Sequence, residues 1–254
     1  MAEIIIGVPG PWRERKELMQ ALARQGKDYM FAGMIFLEQS TKEACTFNFT
    51  DRDAELAGAV EAGGQGAFSN EQIDAVGRHE GVAWLIFHEP DLAKARTAAR
   101  FARALLDAGG LAVKLDSSGL SHTPERWLRD WDSDDPWAIY GLFVVLVGDD
   151  GRFYSCGMHT FDLPDAAVPS ALGTEDGARL LNLFNLYRMV ESPTLNSGET
   201  FSVDADSPYY RLSLGPYVDG YEDTPMLNPH GLWTLRPVET EPAPRRRWSW
   251  PWKR

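Results

Sequence analysis

The sequence predicts an α+β fold, with a mixed, mostly antiparallel sheet and helices packed on it. Short β-branched runs such as Glu3 to Val8 have the length and composition of buried strands. Amphipathic segments such as Asp91 to Ala108 have the 3.6-residue period of helices. Strands and helices alternate along the chain in an order that indicates two βαββαβ-like halves packed as one globular unit.

The first half is expected to span residues 1–90. Pro9-Gly10-Pro11 should end the strand at Glu3 to Val8, and Pro11 suits the first turn of a helix that runs to Gln25. Ser69 is a typical N-cap residue. The other predicted elements are strands at Tyr29 to Leu37 and Cys45 to Phe49, helices at Asp51 to Ala62 and Ser69 to His79, and a strand at Gly81 to Phe87.

The second half is expected to span residues 91–235 and to open with the helix at Asp91 to Ala108, ended by Gly109-Gly110. Ala138 to Gly148 is too short for a membrane span of about 20 residues and is predicted to be a buried strand. The other predicted elements are a strand at Leu111 to Leu115, a short helix at Pro124 to Asp130, a strand at Arg152 to Thr160, a helix capped by Thr174 that buries Leu180, Leu183, Phe184 and Tyr187, and strands at Glu199 to Val203 and Tyr209 to Leu214.

Charge is unevenly distributed along the chain. The net charge is −12, yet Arg245 to Arg254 holds five basic residues and no acidic one. Removing them leaves 20 basic against 37 acidic residues, a net charge of −17 for residues 1–244. Such a field repels nucleic acid and anionic lipid and accelerates encounter with basic proteins.

Residues 236–254 form a Pro-rich linker followed by a basic Arg/Trp tail. The tail could settle on an anionic membrane surface, dock on the acidic body, or contact nucleic acid non-specifically.

Cysteine usage and the chain start predict a cytoplasmic protein. Cys45 and Cys156 are the two cysteines, too few for a disulfide framework. The segment Met1 to Gly7 has no basic region before its short apolar run, unlike a signal peptide. No stable membrane insertion is therefore expected.

Familiar catalytic and cofactor motifs are absent from the sequence, so no cofactor and no metal are expected. Asp130, Asp132 and Asp134 imitate the start of a calcium loop, but the glycine and the final glutamate of that motif are missing. Two groups leave an enzymatic alternative open, a small hydrolase or transferase. They are Ser117 with His122 and Cys156 with His159.

The segment from Trp127 to Trp137 is the strongest candidate for a binding surface. It holds three tryptophans and four aspartates but one basic residue. Indole rings belong in a core or against a partner, and unpaired carboxylates resist burial. A core-plus-loop arrangement remains the competing interpretation. The residues predicted to contact a partner are Trp131, Asp132, Asp134, Asp135 and Trp137.

Three phrases, Ile6 to Trp12, Asp107 to Val113 and Gly157 to Asp165, resemble a bacterial family of unassigned function whose members occur beside type VI secretion genes. Over about residues 1–235 the chain looks similar to immunity proteins that protect against secreted nuclease effectors. The resemblance implies a non-enzymatic cytoplasmic inhibitor that binds a cognate toxin, a basic nuclease, and blocks its active site. A secretion-system adaptor or scaffold, with the tail touching membrane, is a further alternative.

Overall fold

The computed structural model describes residues 2–26, 28–149, 151–218 and 220–238 and confirms an α+β fold. The first sheet is antiparallel throughout, with strand order β2-β3-β4-β5-β1-β6-β7. Its strands are β1 (Glu3–Gly10), β2 (Tyr29–Ala32), β3 (Ile35–Glu38), β4 (Ala44–Asp51), β5 (Gly81–His88), β6 (Val113–Leu115) and β7 (Ser121–His122).

The second sheet is mostly antiparallel and has the order β11-β12-β13-β10-β9-β8. Its parallel pair is β10 with β13, in which Asp165 lies opposite Leu232. Its strands are β8 (Val145–Asp149), β9 (Arg152–Cys156), β10 (Asp165–Pro169), β11 (Thr200–Phe201), β12 (Tyr210–Gly215) and β13 (Leu232–Pro237).

The helices pack on these sheets, and α4 lies at the centre of the molecule. Its buried face is rich in alanine, including Ala95, Ala98 and Ala102, all 0% exposed, so it approaches the first sheet closely. The helices are α1 (Arg15–Arg24), α2 (Leu56–Gly63), α3 (Asn70–Gly77), α4 (Leu92–Asp107), α5 (Pro124–Asp130), α6 (Pro136–Phe143) and α7 (Thr174–Glu191).

Each sheet has its own cluster of buried side chains, and α7 contributes to both. Phe101 from α4 and Leu186 from α7 belong to the cluster on the first sheet. Leu181 and Phe184 from α7 belong to a separate cluster on the second sheet. Burial of apolar side chains of α7 in both clusters therefore links the sheets into one unit. The part of the chain that the structure describes contains no helix with the length and hydropathy needed to cross a bilayer.

The structure corrects several sequence-based boundaries. The prediction of a strand at Ala138 to Gly148 is wrong over its first half, because Pro136–Phe143 is helical and β8 begins at Val145. The segment Tyr29 to Leu37 is itself a hairpin of two strands. β10 and β13 were not anticipated, and β1 extends through Pro9 and Gly10.

The boundary between the two sheets does not fall at the division expected near residue 91. β6 and β7, in residues 113–122, pair with the first sheet through β1. The second sheet begins only after α5 and α6, at Val145. These two helices therefore connect the sheets, and they carry the acidic, tryptophan-rich segment.

Candidate functional site: the α5–α6 surface

The acidic, tryptophan-rich segment folds as two short helices with a five-residue connection, residues 131–135. Each helix starts at a proline preceded by a capping side chain. The Thr123 hydroxyl accepts a hydrogen bond from the Arg126 amide at 3.3 Å, and the Asp135 carboxylate accepts one from the Trp137 amide at 3.0 Å. These caps satisfy amides that the first turn leaves free. The sequence thus fixes where both helices begin.

Two of the three tryptophans hold this segment to the core. Trp127 is 0% exposed, and its indole N–H donates to the Ala99 carbonyl at 3.0 Å. Trp131 is half-buried against the same core, and the Arg103 guanidinium lies 5.3 Å from its ring centroid. The indole of Trp131 therefore packs mainly within its own chain, although the sequence predicts that it contacts a partner.

Three of the five predicted contact residues are exposed to solvent. Asp132, Asp134 and Trp137 are exposed, and Trp137 has 41% of its surface accessible. Within the described ranges, no hydrogen bond or ion pair engages the carboxylate of Asp132 or Asp134. Asp135 is also exposed, but its carboxylate serves as the α6 cap. We call Asp132, Asp134, Asp135 and Trp137 the α5–α6 surface.

Arginines of the chain reduce the negative charge around this surface. Both carboxylate oxygens of Asp130 accept from Arg129, at 2.7 and 2.8 Å. The Arg126 Nε lies 3.9 Å from the same carboxylate, and Arg96 donates to the Ser133 carbonyl at 3.2 Å. With Arg103, which lies over the Trp131 ring, four arginines therefore surround the four aspartates of this segment. Within the described ranges, none of these arginines forms an ion pair with Asp132, Asp134 or Asp135.

A cleft of about 350 Å³ opens beside the exposed indole of Trp137, and we call it the Trp137 cleft. It combines residues of α5, α6, α7 and β8 with Gln65 from the α2–α3 connection and Leu120 from the β6–β7 turn. Its lining residues are Gln65, Leu120, Arg126, Trp137, Tyr140, Gly141, Val144, Val145, Leu146 and Asn182.

Polar groups of the Trp137 cleft are held in place by hydrogen bonds. Arg126 donates to the Gly141 carbonyl at 2.9 Å, which ties α5 to α6. The Tyr140 hydroxyl donates to Asn182 Oδ1 at 2.9 Å, and Asn185 donates to that hydroxyl at 3.2 Å. Burial raises the pKa of Tyr140, so its hydroxyl stays protonated. The lining of the cleft is polar and apolar in about equal parts, so a partner side chain or small molecule that enters it meets both fixed hydrogen-bonding groups and apolar surface.

The alternative pair Ser117 and His122 is enclosed. Both side chains are 0% exposed. His122 Nε2 donates to the Leu142 carbonyl at 2.8 Å, and burial lowers the pKa of His122 to about 4. Ser117 Oγ and His122 Nδ1 have no hydrogen-bond partner among the described residues. Because Nε2 of the neutral His122 ring donates to the carbonyl, Nδ1 is left as the acceptor nitrogen. Among the described residues, no hydrogen bond joins this Nδ1 to Ser117.

The alternative pair Cys156 and His159 is also enclosed, with each residue 1% exposed. The Cys156 thiol lies 3.9 Å from the Ser117 carbonyl, and burial raises its pKa to about 12. Burial lowers the pKa of His159 to about 4. A nucleophilic cysteine needs a thiolate, commonly paired with an imidazolium, and these shifts favour the neutral forms of both groups.

Groups of metal-ligand type do not converge in the described ranges, where no three His, Cys, Asp or Glu side chains are placed to hold an ion. Asp130, the first aspartate of the sequence that imitates a calcium loop, accepts a hydrogen bond from Arg129. The Arg/Trp tail, Arg245 to Arg254, lies outside the described residues.

Sequence reasoning located the segment but missed the cleft. Arg126, Tyr140 and Asn182 were not singled out, because Tyr140 was assigned to a strand and Asn182 lies in a distant helix. The dipeptide Asp135-Pro136 is a helix-start signal that would have placed Tyr140 on a helix with Trp137. No comparable local signal points to Asn182.

Comparisons with known proteins give no assignment of this surface. No protein-family model matches the chain, and no curated protein or solved structure shows a significant match to it.

Proposed function

We propose that this protein is an immunity protein that binds and neutralises a cognate toxin of a type VI secretion system, a basic nuclease, through the α5–α6 surface. In this role it acts by binding alone, in the cytoplasm, and performs no chemistry on the toxin. The class of function rests on the resemblance of Ile6 to Trp12, Asp107 to Val113 and Gly157 to Asp165 to a bacterial family whose members occur beside type VI secretion genes.

The exposed Trp137 indole at the rim of a cleft is the observation that carries the proposal. An indole with 41% exposure leaves apolar area uncovered that a partner can bury. The adjacent Trp137 cleft, of about 350 Å³, can accept a side chain of that partner. Tryptophans that contact a partner's pocket commonly dominate the binding energy of an interface.

The free carboxylates of Asp132 and Asp134 give the surface its preference for a basic partner. Neither has an ion pair within the described ranges, so each can pair with a lysine or arginine of a partner. Residues 1–244 carry a net charge of −17, which adds long-range attraction. A nuclease surface built for a polyanion has the complementary charge.

The test is binding to the purified toxin encoded by the neighbouring gene, measured by biolayer interferometry at low and high salt. Asp132→Lys with Asp134→Lys should lower the association rate constant about tenfold at low salt, with a smaller effect at high salt. Trp137→Ala should raise the dissociation rate constant and weaken binding by about 2 kcal/mol.

Glu14→Lys with Glu55→Lys is the matched control, because it changes the net charge equally at exposed carboxylates on other elements. Circular dichroism of each variant checks that the fold is kept. Absence of any complex with wild-type protein would overturn the proposed function. A complex that all variants form as wild type does would remove the α5–α6 surface from it.

A further inference from the structure

Arg188, in the last turn of α7, is a buried cation whose guanidinium stacks on the Phe184 ring, 4.5 Å from its centroid, and is only partly hydrogen-bonded. The residue is 3% exposed. Its Nη1 donates to the Pro164 carbonyl at 2.7 Å, and its Nη2 donates to Asn185 Oδ1. Its Nε has no hydrogen-bond partner among the described residues. An arginine has five N–H donors, so several remain available.

No carboxylate of the described residues forms an ion pair with Arg188. The acidic group that acts on it is Asp165, through space. The Asp165 carboxylate, 0% exposed, already accepts from Ser155 Oγ at 2.8 Å, from the Met158 amide at 3.2 Å and from Asn228 Nδ2 at 2.6 Å. It is therefore held by other donors. Burial lowers the pKa of Arg188 to about 10, which still leaves the guanidinium charged at neutral pH.

Arg188 lines a partly open cavity of about 180 Å³ whose other walls are mainly apolar. Trp233, 5% exposed, belongs to the second sheet, and the half-buried Leu195 lies in the segment after α7. An apolar cavity of about 150 Å³ is large enough to hold benzene. The lining residues are Leu163, Pro164, Arg188, Pro193, Leu195 and Trp233.

We propose that this cavity, the Arg188 cavity, binds a small organic carboxylate with an apolar group about the size of a benzene ring. The guanidinium supplies paired donors for the carboxylate, and a charge-assisted hydrogen bond in a desolvated site is strong and directional. Leu163, Leu195 and Trp233 enclose the apolar group. The volume fits one ring and is too small for a peptide segment, so the ligand is a free small molecule. This site is independent of the α5–α6 surface.

Benzoate is the probe, and benzamide is its neutral isostere. In two-dimensional NMR spectra of the full chain, the Trp233 indole N–H signal, identified with Trp233→Phe, should shift saturably with benzoate. Isothermal titration should give a dissociation constant for benzoate at least tenfold lower than for benzamide. Equal affinities for the two compounds, or no saturable shift at millimolar benzoate, would overturn the proposal.

Two variants distinguish loss of the binding site from a general effect on folding. Arg188→Met should abolish the preference for benzoate over benzamide. Because loss of a buried hydrogen-bonding group can also unfold the protein, Leu195→Trp provides a second variant that fills the cavity from its half-buried rim. Leu195→Trp should weaken benzoate binding at least tenfold. Leu172→Trp is the matched control, since Leu172 packs on the same core cluster but does not line the cavity, and it should bind benzoate as wild type does.

Discussion

Three tryptophans of one short segment occupy three different environments. Trp127 is fully buried and bonded to the α4 backbone, Trp131 is half-buried under Arg103, and Trp137 is exposed beside a cleft. Trp127 lies in α5, Trp131 directly follows that helix and Trp137 lies in the first turn of α6, and these positions produce the three environments. The same residue type therefore contributes stability at one position and a surface for binding at another, and the sequence alone cannot separate the two.

Asp135 combines a charge on the α5–α6 surface with the cap of α6. Asp135→Ala should lower the free energy of unfolding by about 1 kcal/mol, because the Trp137 amide loses its acceptor. Asp135→Asn keeps an acceptor oxygen and removes the charge, so its stability should stay within about 0.5 kcal/mol of wild type. Urea unfolding followed by circular dichroism measures both.

The variants Asp135→Ala and Asp135→Asn also separate the effect of the helix cap on toxin binding from the effect of the charge. If Asp135 acts only as a cap, Asp135→Asn should bind as wild type does. If its charge contacts the partner, Asp135→Asn should bind more slowly at low salt despite unchanged stability. Equal stability of the alanine and asparagine variants would show that the cap contributes nothing.

Helix α5 was predicted with its observed bounds, whereas α6 was predicted as a strand. In α5 the residues Thr123 and Pro124 mark the start, and a polar stretch follows the helix. In Ala138 to Gly148 an apolar run hides the period, because the buried Ile139, Tyr140, Leu142 and Phe143 leave no polar face. A short apolar run fits a helix or a strand equally well, and the tertiary setting decided between them.

Helix α7 carries a polar stripe along one side, at Asn182, Asn185 and Arg188. Hydrogen bonds run from Arg188 to Asn185 and from Asn185 to the Tyr140 hydroxyl, which in turn donates to Asn182. The spacing of three residues keeps these side chains on neighbouring positions of the helix. The stripe joins the Trp137 cleft to the Arg188 cavity, because Asn182 lines the first and Arg188 the second.

Asn185→Leu should lower the free energy of unfolding by about 3 kcal/mol, since in a fully buried setting the Arg188 guanidinium loses its acceptor and the Tyr140 hydroxyl loses one of its two partners. Asn182→Leu is the control on the same helix. Asn182 is half-buried, so water can replace its contact and the loss should be about 1 kcal/mol. Equal losses in the two variants, measured by urea unfolding, would contradict a continuous buried network.

The candidate site as a whole could not be assembled from the sequence. Gln65, Leu120, Trp137 and Asn182 line one cleft although more than a hundred residues separate the first from the last. Their meeting depends on β6 and β7 joining the first sheet, which the expected division at residue 91 did not include. Local patterns predicted individual features, such as the N-cap at Ser69, but long-range strand pairing determines which elements form the surface.

Buried ionisable groups predict how the stability of the whole molecule depends on pH. The folded-state pKa values of His122 and His159 are lowered from 6.5 to about 4 by burial, and that of Asp165 is raised from 3.8 to about 6. The histidines contribute stability that is present above their unfolded pKa and lost as the pH falls towards 4. Asp165 changes the free energy of unfolding in the opposite direction. Its raised pKa contributes stability that is present below its unfolded pKa and is lost as the pH rises through 6.

Between pH 6 and 4 the unfolded chain therefore binds more protons on the two histidines and fewer on Asp165, and the histidines outweigh Asp165, so these groups lower the free energy of unfolding by roughly 1 kcal/mol for each unit of falling pH. Asp165→Asn removes the opposing contribution and should steepen that slope by roughly 1 kcal/mol per pH unit, whatever its effect on stability at pH 7. Urea unfolding of both proteins across this range measures the difference, and other titrating carboxylates cancel in the comparison. An unchanged or shallower slope in the variant would mean that the hydrogen bonds from Ser155 and Asn228 keep Asp165 ionised despite its burial.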